Sequence, residues 1–285
     1  MNFKKRATLL LIFIVNLFFL ANSKGQYQFQ IIVDINQIWP HEFSDAWKLK
    51  CDGVWSIPGN SSKNKGRNIP ITDWKNCFDL LGQAWICTED YYQNFPHKNY
   101  TLTKDIIPED SIQLICLYAE PMLEINGHET TVVSNKVIDD AHNMTGKKII
   151  VLSRAYINHK WKENVDRALT NHKVGGICFE QKPNLAVLNR YNIAEGLKVT
   201  IEKGKKAFLL LPPNFYDVST NYTADIETVF NYLKEKAPAV LESENFYFVP
   251  NCYNRHKAKT TTLYGGNDSV EGAIKKLKEL RQMEI

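Results

Sequence analysis

Between Lys148 and Leu211 the chain reads KIIVLSR (Lys148–Arg154), WKENVDRALT (Trp161–Thr170), VGGICFE (Val174–Glu180), NLAVLNRYNIAEGLKVTIEK (Asn184–Lys203) and KAFLLL (Lys206–Leu211), joined by short polar connections. Three short, mostly apolar runs alternate with two longer segments in which apolar residues recur at helical spacing. A run that is apolar throughout suits a strand buried on both faces. Parallel strands joined by crossover helices are buried in that way.

The same rhythm extends in both directions. Ile31–Asn36, Asp52–Ile57, Ala84–Asp90, Ile112–Glu120 and Phe246–Tyr253 bring the strands to eight, with starts about 20 to 40 residues apart, room for a strand, a helix and two loops. Helical patterns fall between them at Glu42–Leu49, Asp73–Leu81, around Val137–Met144 and at Asp225–Lys236. A last helix, Ser269–Gln282, has Asp268 or Ser269 as its N-cap and a face of Ala273, Ile274, Leu277 and Leu280. Eight such units predict an α/β fold, a single (β/α)8 barrel of TIM type closed by a C-terminal helix. A doubly wound open sheet is the alternative. It needs fewer strands, and neither GxGxxG nor GxxxxGK[ST] occurs to suggest a dinucleotide or nucleotide.

Residues 1–23 read as a secretory signal peptide. Lys4, Lys5 and Arg6 precede an apolar stretch from Ala7 to Leu20, and Ala21-Asn22-Ser23 offers small residues for cleavage. The stretch is shorter than the roughly 20 residues that span a bilayer. The reading is therefore a secreted, extracellular or periplasmic protein with one domain over residues 24–285 and no membrane span. Without those three basic residues, 32 Lys and Arg face 31 Asp and Glu, an excess too small to predict a nucleic-acid partner. Of six cysteines, Cys87, Cys116, Cys178 and Cys252 fall in or beside apolar runs, as small buried thiols do. Cys51 and Cys77 alone sit near segment ends, where a bridge could form. Sequons at Asn60, Asn99, Asn143, Asn221 and Asn267 all lie outside the strands, so a eukaryotic source would make this a glycoprotein.

In a barrel, chemistry collects where strands end. Alternation along each strand turns Asp34 and Asn36 inward on the first, with Ile31, Val33 and Ile35 against the helices. By the same parity Thr88 and Asp90 share a side on the third strand, and Tyr118 and Glu120 face inward on the fourth. Cys178 and Glu180 face inward on the sixth. Asn251 and Tyr253 do so on the eighth, where Phe246 and Phe248 face outward. Glu120 and Glu180 end otherwise apolar strands, a costly place for a charge unless it is solvated in a cleft or paired. Two carboxylates converging on a cleft are the minimum equipment for glycoside hydrolysis, one donating a proton and the other attacking or activating water. Arg154 would hold one of the two ionised. It could equally form a structural ion pair with either.

The predicted substrate-binding set is Asp34, Asn36, Trp39, Trp55, Asp90, Tyr118, Arg154, Asn251 and Tyr253, combining hydrogen-bonding groups with rings that stack on sugars. Neither a cofactor nor a metal is called for. Other chemistries lack parts. No GxSxG occurs, the thiols lie in apolar runs, and Lys148 and Lys206 begin strands, away from the catalytic end. The stretch Leu211-Pro-Pro-Asn-Phe-Tyr-Asp217 brings no carboxylate to the seventh strand's end, where many retaining enzymes of this fold place their nucleophile. The chain resembles barrel glycoside hydrolases in architecture, not in motif. Two alternatives stand beside a carbohydrate-active hydrolase: a barrel that binds carbohydrate without cleaving it, and a phosphodiesterase using His41 with Ca²⁺ or Mg²⁺.

Overall fold

A computed structural model describes residues 26–34, 51–56, 84–88, 112–117, 138–139, 142–143, 146, 148–153, 161–181, 183–211, 221–250 and 269–283. Its strands are β1 (Gln30–Asp34), β2 (Gly53–Ser56), β3 (Ala84–Thr88), β4 (Ile112–Leu117), β5 (Lys148–Ser153), β6 (Val174–Glu180), β7 (Lys206–Leu211) and β8 (Phe246–Pro250). Each pairs in parallel with the next, and β8 pairs with β1, so the ladders return to where they start. All eight strands coincide with the apolar runs, and β6 and β7 match them residue for residue.

The described helices are α1 (Trp161–Thr170), α2 (Leu185–Arg190), α3 (Ile193–Glu202), α4 (Tyr222–Lys236), α5 (Pro238–Leu241) and α6 (Val270–Arg281). They follow β5 to β8, in the order a strand–helix repeat requires. The parallel α/β sheet is consistent with a TIM-type fold. Of the segments between β1 and β5, short helical pieces at Ile138–Asp139 and His142–Asn143 fall where a helix is expected. The helices expected over 42–49 and 73–81 lie outside the described residues, as does the segment 1–23.

The single helix expected over Asn184–Lys203 is instead two. Asn192, at φ 46° and ψ 51°, adopts the left-handed conformation that asparagine tolerates better than most residues, and this ends one helix and starts the next. Asn184 Oδ1 caps α2 through the amides of Ala186 and Val187. Helix α4 begins three residues earlier than its apolar pattern implies, because Asn221 caps it through the Ala224 amide. That exposed sequon asparagine therefore holds a helix start as well. Asn143, another sequon, is also exposed, and its Oδ1 accepts a hydrogen bond from Lys173. Ser269 caps α6 through the Gly272 amide, as expected.

The core has two sides, as strand alternation demands. Facing the helices are Ile31 and Val33 of β1, Ile149 and Val151 of β5, Ile177 and Phe179 of β6, Ala207, Leu209 and Leu211 of β7, and Phe246 and Phe248 of β8. These meet Ile226, Val229, Phe230 and Leu233 of α4 and Val270, Ala273, Ile274 and Leu277 of α6. Phe29 lies at the centre of an aromatic group, edge-on to Phe248 at 5.0 Å and to Phe230 at 6.2 Å between ring centroids. Ile32, Ile150, Cys178, Phe208, Leu210, Tyr247 and Val249 are buried at the opposite parity, inside the ring. Gly176 belongs to the same inner side, and a Cβ there would fall 2.5 Å from the Lys206 carbonyl oxygen, so the approach of β7 requires glycine.

Candidate functional site

Residues 177–180 of β6 are all buried, and Glu180 closes the strand with 7% of its surface exposed. Outward Ile177 and Phe179 fix the parity, so Glu180 shares the inner side with Cys178. Its register partner on β7 is Leu210, itself fully buried. A carboxylate thus stands at the end of an apolar strand, beside an apolar neighbour, at the end of the sheet where strand-to-helix connections depart.

Asp34 is the last residue of β1, in register with Trp55 of β2. Its backbone position has the parity of buried Ile32, opposite to Ile31 and Val33. The remaining predicted residues, Glu120, Asn36, Trp39, Asp90, Tyr118, Arg154, Asn251 and Tyr253, lie outside the described residues, as does His41. Strands β4, β5 and β8 lead toward several of them, their last described residues being Leu117, Ser153 and Pro250. Among the described residues, no three His, Cys, Asp or Glu side chains gather as a metal site. None of the described helices is long and apolar enough to cross a membrane.

Two features at the finishing ends of β5 and β6 were not foreseen. Ser153 and Gln181 are fully buried, and neither the Ser153 hydroxyl nor the Gln181 carboxamide has a hydrogen-bond partner. They are close in the sheet: Ser153 pairs with Phe179, and the Gln181 amide continues the ladder by donating to the Leu210 carbonyl at 3.0 Å. Both have the parity of the helix-facing side. An unpaired buried polar group costs about 1–3 kcal/mol. The sequence signal was a polar residue interrupting an apolar parity, which is weak at a strand's last position, as for Ser153, or just past it, as for Gln181.

A third feature lies at the opposite end. Lys206, the first residue of β7, has the inward parity of Phe208 and Leu210, and its ammonium donates to the Tyr247 hydroxyl. The nitrogen also stands 4.8 Å from the centre of the Tyr247 ring. Burial pushes the Lys206 amine below its usual value, and Glu244 partly opposes this. Burial, then the charges of Glu244 and Asp52, push the Tyr247 phenol up to about 12. Tyr247 in turn stacks on Phe208, centroids 4.7 Å apart, filling the interior at this level. Lys206 therefore belongs to the packing where the strands begin, away from the end that carries Glu180.

No family model matches the chain, and no curated protein is similar to it in sequence. Solved structures are. A 4-O-α-L-rhamnosyl-β-D-glucuronidase from Fusarium oxysporum 12S superposes with a TM-score of 0.55 at 11% identity, covering 89% of this chain and 70% of that one. A GH10 protein from Paenibacillus barcinonensis gives 0.48 at 6%, covering 79% and 83%. A phosphoribosyl anthranilate isomerase from Thermococcus kodakaraensis gives 0.44 at 9%, covering 89% and 98%. At 11% identity the likeness to the fungal enzyme is one of fold, that of the TIM-barrel enzymes. This fold hosts many unlike reactions, so it does not select one.

Proposed function

We propose that residues 24–285 form one (β/α)8 barrel that is exported behind the signal segment and hydrolyses glycosidic bonds in a glycan or polysaccharide. Glu180 and Glu120 serve as its carboxylate pair. The observation that carries this reading is Glu180 itself, a nearly buried carboxylate ending an apolar strand on the inner side of the ring. A carboxylate at that end of a barrel strand stands where catalytic groups of this fold collect. In this reading one carboxyl group donates its proton to the leaving oxygen while the other, ionised, attacks the anomeric carbon or activates water. Arg154, Asp34, Asn36, Asp90 and Asn251 orient the sugar, and Trp39, Trp55, Tyr118 and Tyr253 stack against it.

Reducing-end release from a broad polysaccharide and glycan panel tests the proposal, with Glu180→Gln and Glu120→Gln beside the wild type. Each variant is expected to melt like the wild type and to lose about 10²–10⁴-fold in turnover. Turnover that survives both substitutions sinks the assignment. Saturable binding without turnover in the wild type would instead make the protein a carbohydrate-binding barrel.

A further inference from the structure

The starts of β5, β6 and β7 lie side by side, Ile149 pairing with Val174 and Gly176 with Lys206. The residues leading into them are basic. Lys148 opens β5, His172 and Lys173 precede β6, Lys203 and Lys205 precede β7, and Lys206 opens it. Lys148, His172 and Lys203 are exposed, while Lys173 and Lys205 are half-buried. The Lys148 ammonium reaches across to the His172 carbonyl, which brings it toward β6. Burial, and then the charge of Lys148, hold the Lys205 amine below its usual value. Among the described residues, carboxylates stand nearby as well. Asp139 binds Lys173 at 3.1 Å, Glu202 faces Lys198 at 3.8 Å, and Glu244 acts on Lys206. Five lysines thus crowd one edge of a chain whose whole formal charge is +4. Like charges gathered in this way oppose one another, and a bound anion relieves them.

We propose that this edge, through Lys148, His172, Lys173, Lys203 and Lys205, docks an acidic polysaccharide bearing sulfate or carboxylate groups. Lysine ammoniums are flexible point charges, suited to a row of anions along a polymer rather than to one planar group. A bilayer would want an apolar wedge, but among the described residues the exposed large hydrophobic side chains are Leu185, which opens α2, and Met283, which follows α6, and none lies among the residues that lead into β5, β6 and β7. Single-stranded nucleic acid would want an exposed ring for stacking, and the Tyr247 ring here is buried. The edge lies at the opposite end of the strands from Glu180. A docked polymer therefore leaves the finishing ends open, and the protein is held on a charged matrix while its mouth stays accessible.

The test is calorimetric binding of heparin and of polygalacturonate to the full protein at about 50 and about 200 mM salt, which separates sulfate from carboxylate. Saturable binding to at least one polymer, weakened by salt, is expected. It should fall about tenfold in Lys148→Glu/Lys205→Glu, but not in Lys234→Glu/Lys275→Glu, which changes charge equally on exposed faces of α4 and α6. Lys148→Gln/Lys205→Gln should lose less, and it keeps the test valid if the charge-reversed pair fails to fold. Three results would overturn the proposal: no binding to either polymer, equal weakening by the two reversed pairs, or tighter binding to phosphatidylserine vesicles or single-stranded DNA. The readout needs no turnover, so it stands or falls independently of the carboxylate pair.

Discussion

Where the strands begin, Arg281 donates to the Phe29 carbonyl at 3.1 Å and to Asp52 at 2.5 Å, Asp52 accepts the Ile31 amide at 2.8 Å, and Lys206 donates to the Tyr247 hydroxyl. Where β5 and β6 finish, Ser153 and Gln181 are buried without partners and Glu180 ends an apolar strand. One end joins its polar groups to each other, while the other keeps the Ser153 hydroxyl and the Gln181 carboxamide buried without partners, at a cost. In barrels of this kind the starting end holds the fold together and the finishing end does the chemistry, and a site kept ready for a ligand is less than optimally stable.

On that division, substitutions at the starting end should lower stability, and some at the finishing end should not. Phe29→Ala removes the ring at the centre of the aromatic group just before β1. It should cost about 3–5 kcal/mol, read as an earlier midpoint in urea unfolding. Asp52→Ala strips the Ile31 amide and Arg281 of their shared acceptor, with a loss of about 1–3 kcal/mol in the same measurement.

Tyr247 gives a subtler effect, confined to alkaline pH. Its phenol holds a proton more tightly when folded, up to about 12 against 10.0 in the free side chain. The stability this contributes is full below pH 10 and is lost as pH rises toward 12. Lys206, with its amine lowered on folding, acts in the opposite sense, and only below 10.5. Melting temperature should therefore fall between pH 10 and 12 in the wild type and less steeply in Tyr247→Phe. The smallest effect is expected at Gln181→Met, which replaces an unpartnered carboxamide with an apolar chain of similar length. Its melting temperature should be unchanged or raised. A clear loss there would mean that the finishing end is held together as firmly as the starting one.

The strands were legible because burial on both faces forces unbroken apolar runs, and such a run tolerates no other reading when it recurs with helices between. Parity was legible for the same reason: Ile177 and Phe179 must face the helices, which leaves Cys178 and Glu180 to face inward. The break at Asn192 was hidden, since apolar spacing on either side of one left-handed residue still fits a single helix. Gln181 was hidden because the residue just past a strand can be polar without any consequence for its neighbours. Glu120 and Arg154 were drawn from strand runs longer than the described β4 and β5, and their partnership with Glu180 rests on the sequence.

The tie from Arg281 to Phe29 joins residues 252 positions apart, alongside the pairing of the last strand with the first. During synthesis β1 therefore has its neighbour on one side alone, and its other edge waits until β8 has emerged. Contacts of such long range form slowly, and an open strand edge invites pairing with other chains. The order of manufacture thus leaves the first strand in need of protection until β8 arrives, and a chain lacking its last helix would lose the Arg281 tie from a strand that β2 and β8 still flank.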